Sequence, residues 1–398
     1  MSCSSSSERG SDPGAGRGFG RGSDRGTGRG SQWSGGAPIR RIYVTESARG
    51  DPALERALAR LEGLPVHRVR DKEEIPAEHN RQDTLFATAS HGPVVGRCPG
   101  TRGHLCCNYL TANVYLGCTL GCSYCIMQSY LNFSPLTVQL GRREAVETIR
   151  RVARENPGRA VRVGTGEVGD SLLLDPLFEL SAEYVEALAD LENVFFEMKT
   201  KTDFVDHLLD LPRKGNAVIG FSLNPPGLAE REEPHAALVE SRLAAARRVV
   251  EAGYLVAFHF DPIIHVPDYE RCYAALIEEL AVIPPGRIAW VSMGTVRFTT
   301  ALREQLPPRP YFFDEFVPGR DGKLRYLQVV RSEIYRTIRG YLGEVTEAPV
   351  YLCMESPEVW KRVFGALPAE IPELAPIFQP IKGIPAHGRV GSVHADRS

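Results

Sequence analysis

The pattern of apolar and polar positions becomes regular at Ile39. Residues 39–46 (IRRIYVTE) read as a short extended run, and residues 52–63 (PALERALARLEG) repeat apolar positions at helical spacing up to Gly63. Residues 65–70 (PVHRVR) then return to a strand-like run. This predicts a small βα lead-in. Residues 80–112 mix Gly, Pro, Cys and His without periodicity, which predicts a loop-rich bridge. Beyond it, six runs rich in β-branched or aromatic residues follow: Asn113–Gly117, Ala160–Gly166, Val194–Thr200, Ala217–Asn224, Leu255–Ile264 and Ile288–Phe298. Helical patterns lie between them at 142–155, 177–191, 203–211, 235–253 and 268–282. Strands separated by helices imply parallel pairing with right-handed crossovers. The expected fold is α/β, a partial TIM-like (β/α)6 barrel with a small N-terminal βα unit. A last helix, Leu327–Leu342, and a strand at 349–355 (PVYLCME) follow. The expected divisions are a disordered Gly/Arg/Ser-rich tail (1–37), the βα unit with its Cys-containing bridge (38–110), the barrel (111–300), and a C-terminal extension closing it, with a tail (301–398).

In such folds ligands gather at the carboxyl ends of the strands. The first run is followed by Cys118, Cys122 and Cys125, the second by Glu167 and Asp170, and the third brings Lys199 and Lys201. The fourth ends in Ser222 and Asn224, the fifth carries Asp261 and His265, and the sixth Arg297. Six consecutive strand ends bearing reactive or charged groups point to one active site.

Composition narrows the class. The 398 residues are 43% hydrophobic and 24% charged, with a formal charge of −2, so a polycation is excluded while a local basic groove is not. No apolar run is long enough for a bilayer span and no signal-peptide core is evident, which leads to the expectation of a soluble, cytoplasmic protein without a membrane partner. Six of the nine cysteines fall between residues 98 and 125. In a reducing compartment such clustering suits metal ligation or redox chemistry better than disulfides. The Arg-Gly steps of the tail read as a solubilising extension, with a weak nucleic-acid tether as the alternative.

Cys118-Thr-Leu-Gly-Cys122-Ser-Tyr-Cys125 spaces three thiols as CxxxCxxC. A structural zinc site calls for four closed ligands, and no companion CxxC is present. Three thiolates suit a [4Fe-4S] cluster with one iron left open. The motif, at the end of the first strand of a βα rhythm and with Tyr124 before its third cysteine, resembles that of the radical S-adenosylmethionine superfamily. The resemblance implies that Cys118, Cys122 and Cys125 hold the cluster. It also implies that S-adenosylmethionine binds the open iron and yields a 5′-deoxyadenosyl radical on one-electron reduction, by a donor such as flavodoxin or ferredoxin. Gly164-Thr-Gly-Glu167 resembles the superfamily's glycine-rich second-strand segment, with Gly166 admitting the methionine moiety and Glu167 accepting its ammonium. Lys201 would pair the cofactor carboxylate, Ser222 and Asn224 would bond its polar groups, and Tyr124 would lie beside the adenine.

Within the superfamily, residues 39–365 resemble the spore photoproduct lyase and lyase-like family. The resemblance rests on Ile126-Met-Gln128, Thr200-Lys201, Val205-Asp-His-Leu-Leu209, Phe221-Ser-Leu-Asn224, Glu251-Ala-Gly-Tyr254, Asp261-Pro-Ile and Arg297-Phe298. It implies a lyase that splits a thymine-dimer lesion in DNA, with Arg142, Arg143, Arg297, Arg303, Arg320 and Lys323 available for phosphates. The family places a hydrogen-donating cysteine shortly after the second strand, and this chain has none between Gly164 and Asp170. Cys353 is the expected catalytic donor, with Cys106 and Cys107 as alternatives, and Cys272 reads as core. Two other readings stay open: the same radical acting on RNA, a peptide or a small molecule, and a nucleic-acid-binding protein with a structural Fe–S or zinc site.

Overall fold

In the computed structural model the described residues are 38–89, 94–101, 103–131, 133–306, 308–312 and 314–384. The tail expected over 1–37 and the last fourteen residues lie outside them. The centre of the molecule is an eight-stranded sheet. From one edge its strands are Val350–Leu352, Ile288–Thr295, Leu255–Ile263, Asn216–Ser222, Val194–Thr200, Val161–Gly164, Leu110–Ala112 and Val95–Arg97. Every pairing is parallel except the last, between 95–97 and 110–112. The inner strands read as almost unbroken buried runs, as 216–222 does, because helices cover one face and packed side chains fill the other. Helices Arg142–Glu155, Leu180–Leu188, Val239–Glu251 and Tyr269–Glu278 supply the crossovers.

The α/β half-barrel is as the pattern implied, but its first strand is not where expected. Leu110–Ala112, inside the supposed loop bridge, pairs with 161–164. Tyr115–Leu116 instead joins a second, five-stranded sheet, antiparallel to Leu136–Gln139, beside Thr84–Thr88, Arg41–Thr45 and Val66–Val69. Strands of three residues carry too little alternation to be told from loop. The sixth run is also divided: Ile288–Thr295 stays in the barrel, while Arg297–Thr299 pairs with Lys323–Tyr326 in a small antiparallel sheet. The C-terminal strand extends the parallel series by one, and the helix before it runs from Gln328 to Val345.

The two edges of the large sheet come together. The Leu105 N–H donates to the Glu355 carbonyl at 2.9 Å, and the Thr101 hydroxyl reaches the Met354 sulfur at 3.3 Å. Arg162 reinforces this seam from the second strand: its guanidinium donates to the Cys107 carbonyl and the Tyr351 hydroxyl, and lies 5.0 Å from the Trp290 and Tyr351 ring centroids.

Candidate active site

The three ligand-type cysteines leave the smaller sheet on one loop that is fastened at several points. Gly121 takes φ +67°, and a Cβ there would meet the His235 ring at 3.3 Å, so the turn against that ring favours glycine. The His235 N–H donates to the Leu120 carbonyl at 3.2 Å and the Ser123 N–H to the Glu232 carbonyl at 2.9 Å, while the Ser123 hydroxyl bonds the Glu232 carboxylate. Side-chain amides of Gln82 and Gln128 hold the carbonyls of Cys118 and Cys122. Cys122 is buried, and Cys118 and Cys125 are half-buried. Among the described residues, no group of three or more His, Cys, Asp and Glu side chains closes around a single metal ion.

The second strand ends at Gly164 and passes into Thr165-Gly-Glu167. A Cβ at Gly166 would stand 2.7 Å from the Lys199 Cβ, so the segment lies flat against the third strand. Glu167 Oε1 accepts the Cys98 thiol at 3.8 Å, while Oε2 is buried without a partner. Burial pushes the Glu167 carboxyl up to about 7, against the pull of Cys98 and Lys199. Asp170 plays a different part from its neighbour. Its oxygens accept the Leu172, Leu173 and Lys201 N–H groups and the Thr200 hydroxyl at 2.7–3.0 Å, joining the second and third strand ends into one rigid rim.

Lys201 lies with its ammonium 5.8 Å from the Tyr124 ring centroid. The Tyr124 hydroxyl donates to Glu233, which also accepts Arg242 at 2.5 Å and Asn224 at 3.0 Å. Asn224 gives its amide to Tyr124 and Glu233 and accepts the Tyr273 hydroxyl, so its side chain is fully engaged within the protein. Ser222 is buried at the end of its strand, where its carbonyl accepts Arg242. Tyr124 and Lys201 thus stand beside the cysteine loop, whereas Asn224 and Ser222 brace it from behind.

Deeper in the barrel is a layer that the sequence reading did not single out. His259 Nε2 meets Glu197 Oε1 at 2.6 Å, His259 Nδ1 meets Ser292 Oγ at 2.6 Å, and the Tyr109 hydroxyl bonds Glu197. Burial holds His259 below its ordinary value. Burial also works to raise the Glu197 carboxyl, but His259 and Tyr109 bring it down to about 2. The signal was present in the glycines: a Cβ at Gly220 would fall 2.5 Å from Glu197 Oε1, and one at Gly164 would collide with the Tyr109 hydroxyl. Asp261 and Arg297 form a bidentate pair at 3.1 and 3.4 Å next to this layer, with Arg297 Nε left without a partner. Cys353 lies beside that pair, its N–H bonded to the Met293 carbonyl. Of the cations considered for phosphates, Arg142 is held by Asp51 and Glu183 on an outer helix, and Lys323 stands 3.8 Å from Asp321.

Residues 108–303 match the family model of spore photoproduct lyase. The chain is 28% identical over 166 residues to spore photoproduct lyase of Geobacillus sp. (strain Y412MC61) and 26% identical over 170 residues to that of Bacillus subtilis (strain 168). Each match takes in 42% of this chain, which spans about half the length of these curated relatives (49% and 50%). Similar solved structures include a doubly substituted spore photoproduct lyase with bound AdoMet and dinucleoside spore photoproduct. It has a TM-score of 0.69 at 21% identity, over 80% of this chain and 98% of that one. A spore photoproduct lyase complexed with dinucleoside spore photoproduct gives a TM-score of 0.68 at 22% identity, over 79% and 98%. The cysteine loop and the half-barrel agree with this match of residues 108–303 to the family model of spore photoproduct lyase.

Proposed function

We propose that this protein is a radical S-adenosylmethionine lyase that splits a thymine-dimer photoproduct in DNA. One observation carries the reading: the pinned loop with its three thiols has the Lys201 ammonium beside its Tyr124 ring, and the preceding strand end carries Glu167 with one buried oxygen left without a partner. The donor set fits the implied groups. Three thiols suit a [4Fe-4S] cluster with an open iron, and a bare buried carboxylate oxygen beside Gly166 suits an ammonium. Cys118, Cys122 and Cys125 would hold the cluster. Gly166, Glu167, Lys201 and Tyr124 would hold S-adenosylmethionine, with Ser222 and Asn224 fixing the wall behind it. When bound, cluster and cofactor supply a 5′-deoxyadenosyl radical.

The protein's own part is positioning and containment. The Asp170 rim keeps Glu167 and Lys201 in fixed relation, and the bond from Leu105 to Glu355 joins the two sheet edges. Cys353 is the hydrogen-atom donor to the product thymine radical in this reading. Its thiol, raised well above its ordinary value by burial beside Asp261, keeps its hydrogen at neutral pH. The matched relatives carry the lyase name, and a similar structure binds the dinucleoside lesion. DNA is therefore the proposed partner, with a one-electron donor such as flavodoxin or ferredoxin. The proposed compartment is the cytoplasm; no described helix is long and apolar enough to cross a membrane. Glu167 at the place where the family's thiol is expected supports one second reading, the same radical acting on another substrate.

The test is an anaerobic assay of reconstituted protein with dithionite, S-adenosylmethionine and DNA carrying the thymine spore photoproduct. Lesion loss with recovery of thymine is expected. Accumulation of 5′-deoxyadenosine with the lesion intact would reject the lesion as substrate and favour the second reading.

A further inference from the structure

Two consecutive buried carboxylates grip the two residues that separate Cys122 from Cys125. The Ser123 hydroxyl bonds the Glu232 carboxylate, and the Tyr124 hydroxyl bonds that of Glu233. Both acids stand at the end of the helix Pro226–Glu232. They differ in what balances their charge. Glu233 is paired at 2.5 Å with Arg242, which is itself buried and bonded to the Ser222 and Ala237 carbonyls, so this counter-ion belongs to the barrel wall. Glu232 is balanced from elsewhere. Its Oε1 accepts Arg309 Nε at 3.1 Å and the Tyr311 hydroxyl.

Arg309 and Tyr311 follow the helix Thr300–Gln305, far along the chain from both the loop and Glu232. The Glu232 side chain is fully buried, whereas that of Arg309 is 39% exposed, so the counter-ion arrives from the surface. The same stretch meets the loop again farther on. Thr299 Oγ1 lies 3.0 Å from Ser129 Oγ, and the Lys323 ammonium lies 5.7 Å from the Tyr130 ring centroid. A carboxylate held out of water is costly unless it is paired. If Arg309 leaves, that cost is uncompensated, and the residue displaced with Glu232 is Ser123, whose N–H bonds the Glu232 carbonyl at 2.9 Å and whose hydroxyl bonds its carboxylate.

We infer that Glu232 is a positioning residue for the Cys122–Cys125 span, and that Arg309 and Tyr311 form the latch on which it depends. This rests on the reading of Cys118, Cys122 and Cys125 as cluster ligands. Glu232 acts through Ser123 rather than on the reacting groups. The stretch that carries Arg297, Arg303, Arg320 and Lys323 is thereby tied to the geometry of the thiols: seating Arg309 and Tyr311 fixes the loop, and unseating them frees it.

Two measurements test it. In the cofactor-free protein, Arg309→Met is expected to raise amide hydrogen exchange in peptides spanning the cysteine loop by about fivefold or more, with strand Leu255–Ile263 unchanged. Tyr311→Phe, which keeps the ring, is expected to raise exchange in the same peptides and nowhere else. Adding Glu232→Gln to Arg309→Met is expected to return most of the protection, because a neutral amide needs no cation and can bond both hydroxyls. Wild-type exchange in Arg309→Met and Tyr311→Phe, an equal rise in every peptide of both, or a double variant no better protected than Arg309→Met would overturn the latch. In anaerobically reconstituted protein, Arg309→Met is expected to hold wild-type iron but give a broadened reduced-cluster EPR signal, and the double variant to restore the narrow one. An unchanged spectrum in Arg309→Met would overturn the positioning role. Wild-type protein that takes up no iron would overturn the cluster reading instead, and hydrogen exchange then decides the latch alone.

Discussion

Glu197 and His259 stand on strands that are not neighbours, yet their side chains meet at 2.6 Å across the intervening strand at Gly220. The contact exists because Gly220 has no Cβ; one placed there would lie 2.5 Å from Glu197 Oε1 and 2.8 Å from His259 Nε2. Gly220→Ala is expected to displace both groups and leave a buried carboxylate under-bonded. The cost should be about 2–4 kcal/mol, from the lost charge-assisted bond and the desolvation left uncompensated. Urea unfolding of the cofactor-free protein reads this. A loss below about 0.5 kcal/mol would mean that the barrel floor does not depend on the pair.

The Asp261–Arg297 pair is deeply placed, with both side chains 11% exposed. Asp261→Asn would strand the Arg297 guanidinium in the interior and should destabilise the fold by roughly 3–5 kcal/mol. Removing both charges, as Asp261→Asn with Arg297→Met, should recover part of that loss. Thermal unfolding of the two variants side by side checks the order.

Glu167 couples stability to pH. Its carboxyl is raised by burial from an ordinary 4.5 to about 7, so between those values the folded protein holds a proton that the unfolded chain has released. Stability from this group is therefore present below pH 4.5 and is lost as pH rises to about 7, by up to ~3 kcal/mol. Glu167→Gln should remove that component, seen as a flatter difference in urea midpoint between pH 5 and 7.5. The same proton must leave when Glu167 pairs with a cationic ligand, so S-adenosylmethionine should bind the reconstituted protein more weakly at pH 6 than at pH 8. Calorimetry in two buffers of different ionisation heat should show proton release near pH 7.

Replacing Cys118, Cys122 or Cys125 singly by alanine should abolish the brown colour of anaerobically reconstituted protein and its iron content. Cys353→Ala and Cys272→Ala should leave iron content unchanged. Iron and sulfide assays with the visible spectrum separate the two groups.

Local pattern was sufficient for much of this. The inner strands and their crossover helices were legible because a buried parallel strand is a continuous apolar run and an amphipathic helix repeats every 3.6 residues; Val194–Thr200 appears in the structure with the very bounds read from sequence. The spacing of Cys118, Cys122 and Cys125 was legible because a single loop carries all three ligand-type residues. Leu110–Ala112 was not, since three residues hold no period, and Tyr115–Leu116 was assigned to the wrong sheet because alternation says nothing about the partner strand.

Contacts between distant segments were decided by the tertiary structure alone. Cys98 and Glu167 are 69 residues apart, and Glu197 and His259 are 62 apart. Asn224 looked like a ligand-binding residue at a strand end, yet Tyr124, Glu233 and Tyr273 take up its amide. The sequence by itself determined which chemistry the chain carries and which stretches run as strands or helices, because both are properties of local residue types and periods. Which thiol faces which carboxylate, and which polar groups remain bare to meet a ligand, follows from the curl that brings Leu105 to Glu355. That curl is a property of the packed sheet, whose edges meet only when every strand between them is in place.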